Sequence, residues 1–160
     1  MYHKIAKSYN KLHREEQLKK LAIIRQHIKI IPPLLDVGCG TGISTNYFGI
    51  EAVGADNCKE MLAEGKKQYK NLQFAHAEHL PFPDESFSTI ISVTAFHNFK
   101  NMEKALQEIK RVSRSNNIAI SFLKKSKKLP AFRKLLKKYY AFKEVNEDKD
   151  IIFIINEKKI

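Results

Sequence analysis

The stretch 34–45, "LLDVGCGTGIST", places three glycines within five residues directly behind an apolar run and an aspartate. A loop that leaves the first strand of a doubly wound sheet lies at the carboxyl edge, where such folds bind ligands. Gly38, Gly40 and Gly42 would let the backbone approach a ligand at positions where a Cβ would collide. The stretch therefore predicts a loop that binds a nucleotide-like ligand.

Two common glycine loops can be compared with this one. A phosphate-binding loop requires GxxxxGK[ST], and no Lys-Ser or Lys-Thr follows the last glycine, so the sequence excludes that loop. A dinucleotide loop requires GxGxxG, and Ile43 stands at the third glycine position. This weakens the dinucleotide interpretation and leaves it open. Two features help to decide which kind of ligand loop this is: Asp36 ahead of the glycines and the G-x-G-x-G spacing.

Outside this loop, short apolar runs alternate with segments of helical spacing. The runs are rich in branched residues and too short for helices, so they predict strands. The predicted strands are 34–37, 51–55, 72–75, 88–93 and 117–123, and the helical segments between them are 57–69 and 101–112. Alternation of this kind predicts an α/β fold whose parallel sheet has right-handed crossovers.

The two ends of the chain extend the pattern. Residues 10–30 predict a helix with Leu18, Leu21, Ala22 and Ile28 near one face, and Pro32 and Pro33 end it. The C-terminal part predicts a basic helix from Pro130 to about Tyr140, then an antiparallel pair of strands at 141–145 and 150–156. We expect the strand at 150–156 to be central and buried, because its apolar residues are nearly continuous. We expect one domain, 1–160, without an inserted substrate-binding domain.

Composition narrows the class of protein. The 160 residues are 43% hydrophobic, enough for one buried core, and no apolar run approaches the length of a membrane span. Cys39 and Cys58 cannot form a disulfide framework, and no spacing of Cys and His matches a metal site. These observations favour a cytoplasmic protein with reduced cysteines and without a bound metal.

The net charge is +12, and its densest part is the run 124–138, which has eight basic and no acidic residues. This run begins where the fifth strand ends, at the predicted ligand face of the sheet. Basic side chains there could attract a polyanion such as RNA, and the alternative is a solvated helix face. The side chains concerned are Lys124, Lys125, Lys127, Lys128 and Arg133.

Five segments together resemble a known family. "LLDVGCGTG" (34–42) resembles the first motif of class I S-adenosylmethionine-dependent methyltransferases, and "VGADNCKEML" (53–62) the family's second-strand segment. "AEHLPFPDESF" (77–87), "ALQEIKRV" (105–112) and the lead "YHKIAKSYNKL" (2–12) are similar to the ubiquinone- and menaquinone-biosynthesis-like branch. The order of the five segments is that of the family, and the likeness covers most of residues 2–123.

The resemblance implies a Rossmann-like, doubly wound sheet of seven strands in the order 3-2-1-4-5-7-6, with the last strand antiparallel. In this architecture 1–31 is an N-terminal helical lead, 34–123 the cofactor-binding core, and 124–160 the basic helix and C-terminal strand pair. S-adenosylmethionine is the implied cofactor, and the methyl acceptor stays unidentified.

The implied cofactor site divides into three parts. Gly38, Cys39, Gly40 and Gly42 would line the methionine part, and Asp36 would fix the loop or the amino group of the cofactor. Asp56 with its neighbour Asn57 would bind the ribose, because a carboxylate accepts hydrogen bonds from paired hydroxyls. The implied adenine contacts are Met61, Ala77 and Glu78.

Two departures from the family pattern affect the expected cofactor affinity. His76 stands where the family often has Asp, and Ser88 replaces the aspartate that usually follows "SF".

The segment 93–99, "VTAFHNF", follows the fourth strand and is expected beside the transferable methyl group. A general base helps when the methyl acceptor must lose a proton. His97 is the candidate base and Asn98 a candidate for orienting the acceptor; alternatively, His97 only caps the following helix or binds a carbonyl. His13 is interpreted as a surface or locally hydrogen-bonded group.

Three functions remain open at this point. The first is a methyltransferase that acts on RNA or a small metabolite. The second is a non-catalytic S-adenosylmethionine-binding subunit that serves a partner protein. The third is a nicotinamide-dependent oxidoreductase.

Overall fold

The computed structural model describes residues 2–156, and it describes side chains from residue 11 onward. The helices are α1 (Tyr2–His27), α2 (Ile43–Asn46), α3 (Lys59–Lys66), α4 (Met102–Val112) and α5 (Leu129–Tyr139). The strands are β1 (Leu34–Val37), β2 (Ala52–Asp56), β3 (Leu72–Phe74), β4 (Thr89–Val93), β5 (Ile118–Leu123), β6 (Lys143–Asn146) and β7 (Asp150–Ile155). A 3₁₀ turn, Phe96–Asn98, follows β4.

The strands form one seven-stranded sheet in the order β3-β2-β1-β4-β5-β7-β6, so the predicted topology is confirmed. Strand β7 runs antiparallel to both neighbours, β5 and β6, and the remaining pairs are parallel. The sheet therefore brings the carboxyl ends of β1, β2 and β4 to one edge, where the site described below lies.

Helices cover both faces of the sheet, which explains the nearly continuous apolar run of β7. Ile152 and Ile154 pack in the cluster that contains α1, whereas Phe153 and Ile155 pack in the cluster that contains α4 and α5. All four side chains are fully or almost fully buried. The prediction of a buried interior strand at 150–156 is thus confirmed.

Helix α1 differs from its prediction in extent and in its buried face. It begins at Tyr2 and ends at His27, several residues before the prolines. Ala22, which we expected near the core, is exposed, while Gln17 and Lys20 are buried beside Leu21. The apolar pattern alone missed this face, because two polar side chains belong to it. The side chains of the lead 2–10 lie outside the described residues.

The segment 77–87 is tied to α4 through Arg111. The Arg111 guanidinium donates to the carbonyl oxygens of Leu80 and Phe82, and it forms ion pairs with Asp84 and Glu108. The hydrogen bonds to the carboxylates of Glu108 and Asp84 raise the pKa of Arg111 further above its ordinary range. Two of the segments that carry the family resemblance therefore contact each other, and this contact holds residues 80–84 against α4.

Candidate functional site

A cavity of about 380 Å³ lies at the carboxyl edge of the sheet. Its volume is within the usual range of small-molecule sites, about 300 to 1,000 Å³. Parts of the segments 37–40, 55–61, 75–78 and 93–100 form its wall, together with His13 and Gln17 of α1. The cavity therefore joins the glycine loop, the end of β2, the loop after β3 and the end of β4.

The glycine loop approaches the segment after β4 very closely. Gly38 has φ +82°, and a Cβ at this position would lie 2.4 Å from the Cβ of Ala95. The amides of Gly38 and Cys39 both donate to the carbonyl oxygen of Ala55, at 2.7 and 3.0 Å. A side chain at Gly38 would therefore separate β1 from the end of β4, the two elements between which the cavity opens.

Asp56, at the end of β2, places a carboxylate on the cavity wall. Its Oδ2 accepts from the amide of Gly40 at 2.8 Å, and its Oδ1 accepts from the amide of Cys58 at 2.8 Å. A carboxylate offers about four lone-pair sites, so two acceptor positions remain for a ligand. Asp56 thus organises the loop and keeps acceptor capacity toward the cavity.

Asp36 lies beneath the loop, fully buried and away from the cavity wall. Its Oδ2 accepts from the hydroxyls of Ser44 at 2.5 Å and Thr45 at 2.8 Å, while Oδ1 has no hydrogen-bond partner among the described residues. Burial raises the pKa of Asp36 to about 6, although the two hydroxyl groups oppose the shift. The position suits fixing the loop onto α2.

The structure brings eight of the predicted site residues to the cavity and leaves four outside its wall. Those on the wall are Gly38, Gly40, Asp56, Asn57, Met61, Ala77, Glu78 and Asn98. Those away from it are Asp36, Cys39, Gly42 and His97. Cys39 packs with Leu62 and Leu72 in a small apolar cluster, and burial raises the pKa of its thiol far above the ordinary range.

The loop after β3 supplies the wall opposite the glycines. Ala77 is buried, and Glu78 accepts a hydrogen bond from the amide of Asn101 at the start of α4. His76 also lines the cavity, and its Nδ1 lies 3.5 Å from the side-chain nitrogen of Asn57. The residue that replaces the common Asp of the family therefore belongs to the site.

The 3₁₀ turn after β4 separates the two predicted catalytic candidates. Asn98 lines the cavity, whereas the ring of His97 lies 6.1 Å from that of Phe122, centroid to centroid. The Nδ1 of His97 is buried and has no hydrogen-bond partner among the described residues, and burial lowers the pKa of its imidazole. No cavity contact supports the predicted role of His97 as a base.

Sequence reasoning missed the contribution of α1. His13 and Gln17 lie on the cavity wall, and burial, followed by the charge of Lys20, lowers the pKa of His13. Residues four apart share a helix face, so the pair 13 and 17 could have been read as one polar stripe. The resemblance of residues 2–12 to the family's lead was the sequence signal that pointed to this helix.

Thr94, on the cavity wall at the end of β4, was also missed. Its backbone has φ +53°, and its side chain contacts Lys20 and Asp150. Lys100 completes this side of the wall. Within residues 2–156, no group of three or more His, Cys, Asp or Glu side chains could hold a metal ion.

Comparisons with known proteins agree with this geometry. Residues 35–121 match the family model described as a methyltransferase domain. The chain belongs to this family. Its fold is that of the class I S-adenosylmethionine-dependent methyltransferases, and S-adenosylmethionine is the cofactor that the family implies. The oxidoreductase alternative is therefore set aside.

The relatives include an uncharacterised protein and a demethylmenaquinone methyltransferase. The protein MJ1252 of Methanocaldococcus jannaschii is 38% identical over 122 residues, covering 74% of this chain and 48% of that protein. A demethylmenaquinone methyltransferase of Chlorobaculum parvum is 30% identical over 115 residues, covering 68% and 48%. The chain thus spans about half the length of these relatives.

Solved structures show the same fold. The PH0226 protein of Pyrococcus horikoshii superposes with a TM-score of 0.80 at 17% identity, covering 91% of each chain. Among the described residues, none of the helices is both long and apolar enough to cross a membrane.

Proposed function

We propose that this methyltransferase domain binds S-adenosylmethionine in the cavity at the carboxyl edge and transfers its methyl group to an acceptor that enters beside β4. The observation that carries the proposal is the juxtaposition of Gly38, Gly40 and Asp56 on one wall. The glycine at position 40 leaves room for the cofactor. A Cβ at Gly40 would lie 3.2 Å from the Cε of Met61, which is also on the wall, so a side chain at Gly40 would fill the space between them.

The proposed cofactor contacts follow from the available donors and acceptors. Asp56 accepts from the ribose hydroxyls through its two remaining lone-pair positions, and Met61 packs against the adenine. Ala77 and Glu78 lie at the adenine edge, with His76 in place of the usual acid. The methionine part lies against the backbone of Gly38 and Gly40, while Asp36, Cys39 and Gly42 hold the loop in shape from outside the cavity.

When bound, S-adenosylmethionine supplies a methyl group that is already electrophilic because it is attached to a positive sulfur. The protein therefore has to align the acceptor and exclude water rather than activate the methyl donor. Asn98 orients the acceptor, and α1 covers the cavity from the other side. His13 is a wall imidazole whose pKa is lowered by burial, which favours the neutral form that can accept a proton.

Calorimetry tests the cofactor assignment. The wild-type chain is expected to bind S-adenosylmethionine and its demethylated product, and to show no heat with nicotinamide dinucleotides. Transfer of a labelled methyl group to total RNA or to a metabolite extract then tests catalysis. Cofactor binding with transfer only after addition of a cell extract would favour the alternative of a subunit that serves a partner. Absence of cofactor binding would contradict the proposal.

For the acceptor, we favour RNA or another polyanion, drawn to the side chains that begin the basic run. Lys128 donates to the carbonyl oxygen of His97 at 2.9 Å, so the start of α5 lies against the turn that carries Asn98. Lys125 and Lys127 are exposed nearby in sequence. Other members of the run are engaged: Arg133 forms two hydrogen bonds with Glu144, and Lys138 pairs with Glu103.

The small-metabolite alternative has its own support, since a relative is named as a demethylmenaquinone methyltransferase and the wall near Asn98 includes the aromatic ring of Phe99. Salt dependence separates the two. Each phosphate contact makes the logarithm of the RNA-binding constant fall with the logarithm of the salt concentration, with a slope of roughly 0.7 to 0.9. Changing Lys124, Lys125, Lys127 and Lys128 to Gln should therefore reduce this slope by about three.

A matched control removes the same charge from the opposite edge of the sheet. Lys29, Lys66, Lys67 and Lys70 are exposed and precede β1 or β3, far from the carboxyl edge. Their replacement by Gln should leave the slope of RNA binding nearly unchanged. Equal RNA binding by both quadruple variants and the wild type would identify the basic run as a solvated surface and direct the search to small molecules.

A further inference from the structure

Lys20, in the third quarter of α1, is a buried cation outside the cavity wall. Its side chain is only 4% exposed, and its Nζ lies 3.3 Å from the Oδ1 of the fully buried Asp150, the first residue of β7. A buried ion pair is costly to form and is retained where it fixes a specific arrangement or satisfies further hydrogen bonds.

Thr94 is the third member of this cluster and its link to the cavity. Lys20 Nζ donates to Thr94 Oγ1 at 2.9 Å, and Thr94 Oγ1 donates to Asp150 Oδ2 at 2.6 Å. The amide of Thr94 donates to the hydroxyl of Ser121 on β5 at 2.9 Å. Four elements, α1, β4, β5 and β7, therefore meet at the one residue of the cluster that lines the cavity.

The same helix carries the two cavity residues that sequence reasoning missed. His13, Gln17 and Lys20 lie at spacings of four and three, so they share one face of α1. Lys20 is fixed to the sheet by the cluster, whereas Gln17, one turn earlier, and His13, two turns earlier, reach over the cavity. The contacts of Lys20 therefore set the distance between the sheet and residues 13–17 of α1, and they set the rotation of the helix about its axis.

We propose that Lys20 is a positioning residue, whose contacts with Thr94 and Asp150 hold helix α1 over the cavity and so couple the C-terminal strand β7 to cofactor affinity. This inference rests on the proposed function, because it assumes that the cofactor binds in this cavity. Thr94 has φ +53°, a left-handed conformation that costs a β-branched residue free energy, and the three surrounding elements maintain it.

The first test compares neighbouring lysines on α1. Lys20→Met removes the buried cation, and Lys19→Met removes an exposed one from the same helix. Calorimetry with S-adenosylhomocysteine should show at least about fivefold weaker binding for Lys20→Met, which is a typical size for coupling between a distant residue and a binding site. Binding by Lys19→Met should be unchanged. Trypsin should cleave α1 after the exposed Arg14 more slowly with the cofactor product present, and Lys20→Met should lose most of this protection.

A second variant keeps the proposal testable if the single change unfolds the chain. Lys20→Met/Asp150→Asn removes both charges, which proteins generally tolerate better than one unpaired buried charge. This variant should fold, as judged by circular dichroism, and still bind S-adenosylhomocysteine more weakly than the wild type. Lys20→Arg, which keeps the cation, should recover most of the affinity.

The outcomes separate the two hypotheses. If Lys20 only stabilises the fold, Lys20→Met and Lys20→Met/Asp150→Asn would have lower melting temperatures, but the folded variants would bind S-adenosylhomocysteine as tightly as the wild type. This result would overturn the inference. Failure of the wild-type chain to bind S-adenosylhomocysteine would instead contradict the proposed function.

Discussion

The two sides of the cavity are built in different ways. On the β1–β2 side, the glycine loop is held by its own neighbourhood: Gly40 donates to Asp56, sixteen residues later. On the β4 side, Thr94 depends on Lys20 and Asp150, which are 74 and 56 residues away along the chain. Local backbone geometry can be encoded in a short motif, whereas long-range side-chain contacts require the whole fold to form first.

This comparison predicts that the stability of the chain is more sensitive to one added carbon atom in the glycine loop than to a change on the β4 side. Gly38→Ala should lower the free energy of unfolding by about 2 to 5 kcal/mol, combining about 1 to 2 for a left-handed backbone with about 1 to 3 for overpacking against Ala95. Gly49→Ala is the control, because Gly49 has φ +67° and no atom within 4 Å of its would-be Cβ.

Denaturation in urea measures both variants. Gly49→Ala should show only the backbone cost of about 1 to 2 kcal/mol, so the difference between the two variants isolates the close approach of β1 to the end of β4. Equal effects of the two changes would mean that the loop can move away from Ala95 at no cost.

The buried Asp36 predicts a pH dependence of stability. Its pKa is raised to about 6 from 3.8, so between about pH 4 and pH 6 the folded chain keeps a proton that the unfolded chain has lost. The stabilisation is complete below about pH 4 and disappears as the pH rises through about 6. At about 1.4 kcal/mol per pH unit, the loss amounts to roughly 3 kcal/mol.

Asp36→Asn keeps an oxygen for the hydroxyls of Ser44 and Thr45 and removes the ionisation. The free energy of unfolding of the wild type, minus that of the variant, should therefore fall by roughly 3 kcal/mol from pH 4 to pH 7. A difference that stays constant over this range would show that Asp36 is ionised in the folded chain like an ordinary aspartate.

Asp56 tests the cofactor side directly. Asp56→Ala should weaken S-adenosylmethionine binding by about 1.5 to 3 kcal/mol, the range for hydrogen bonds to a charged group. Glu51→Ala is the matched control, since it removes one exposed acid just before the same strand, at the edge opposite the cavity. Equal affinity in both variants, measured by calorimetry on folded protein, would remove Asp56 from the site.

The smallest effect is expected at His97. His97→Phe replaces a ring whose buried Nδ1 has no hydrogen-bond partner among residues 2–156, so the free energy of unfolding should stay unchanged or rise by up to about 1 kcal/mol. Cofactor affinity and methyl transfer should both persist. Loss of transfer with intact cofactor binding would instead support the base role predicted from the sequence.

The sequence was sufficient for the parts of this protein whose physical cause is local. The glycine spacing, the aspartates at the ends of β1 and β2, and the apolar runs predicted the strands and the position of the cavity. The strand order came from the family resemblance, and it is confirmed. The apolar run of β7 predicted an interior strand, because a strand covered on both faces loses its alternation of polar and apolar residues.

Only the tertiary structure decided which polar residues of α1 turn inward. Helical periodicity selects apolar faces, so it placed Ala22 near the core and did not select the polar residues Gln17 and Lys20. The structure reverses these assignments, because Asp150 and the hydroxyl of Thr94 provide buried partners for Lys20. A polar residue is buried when its partner is present, and that partner lies in a strand formed 130 residues later in the chain.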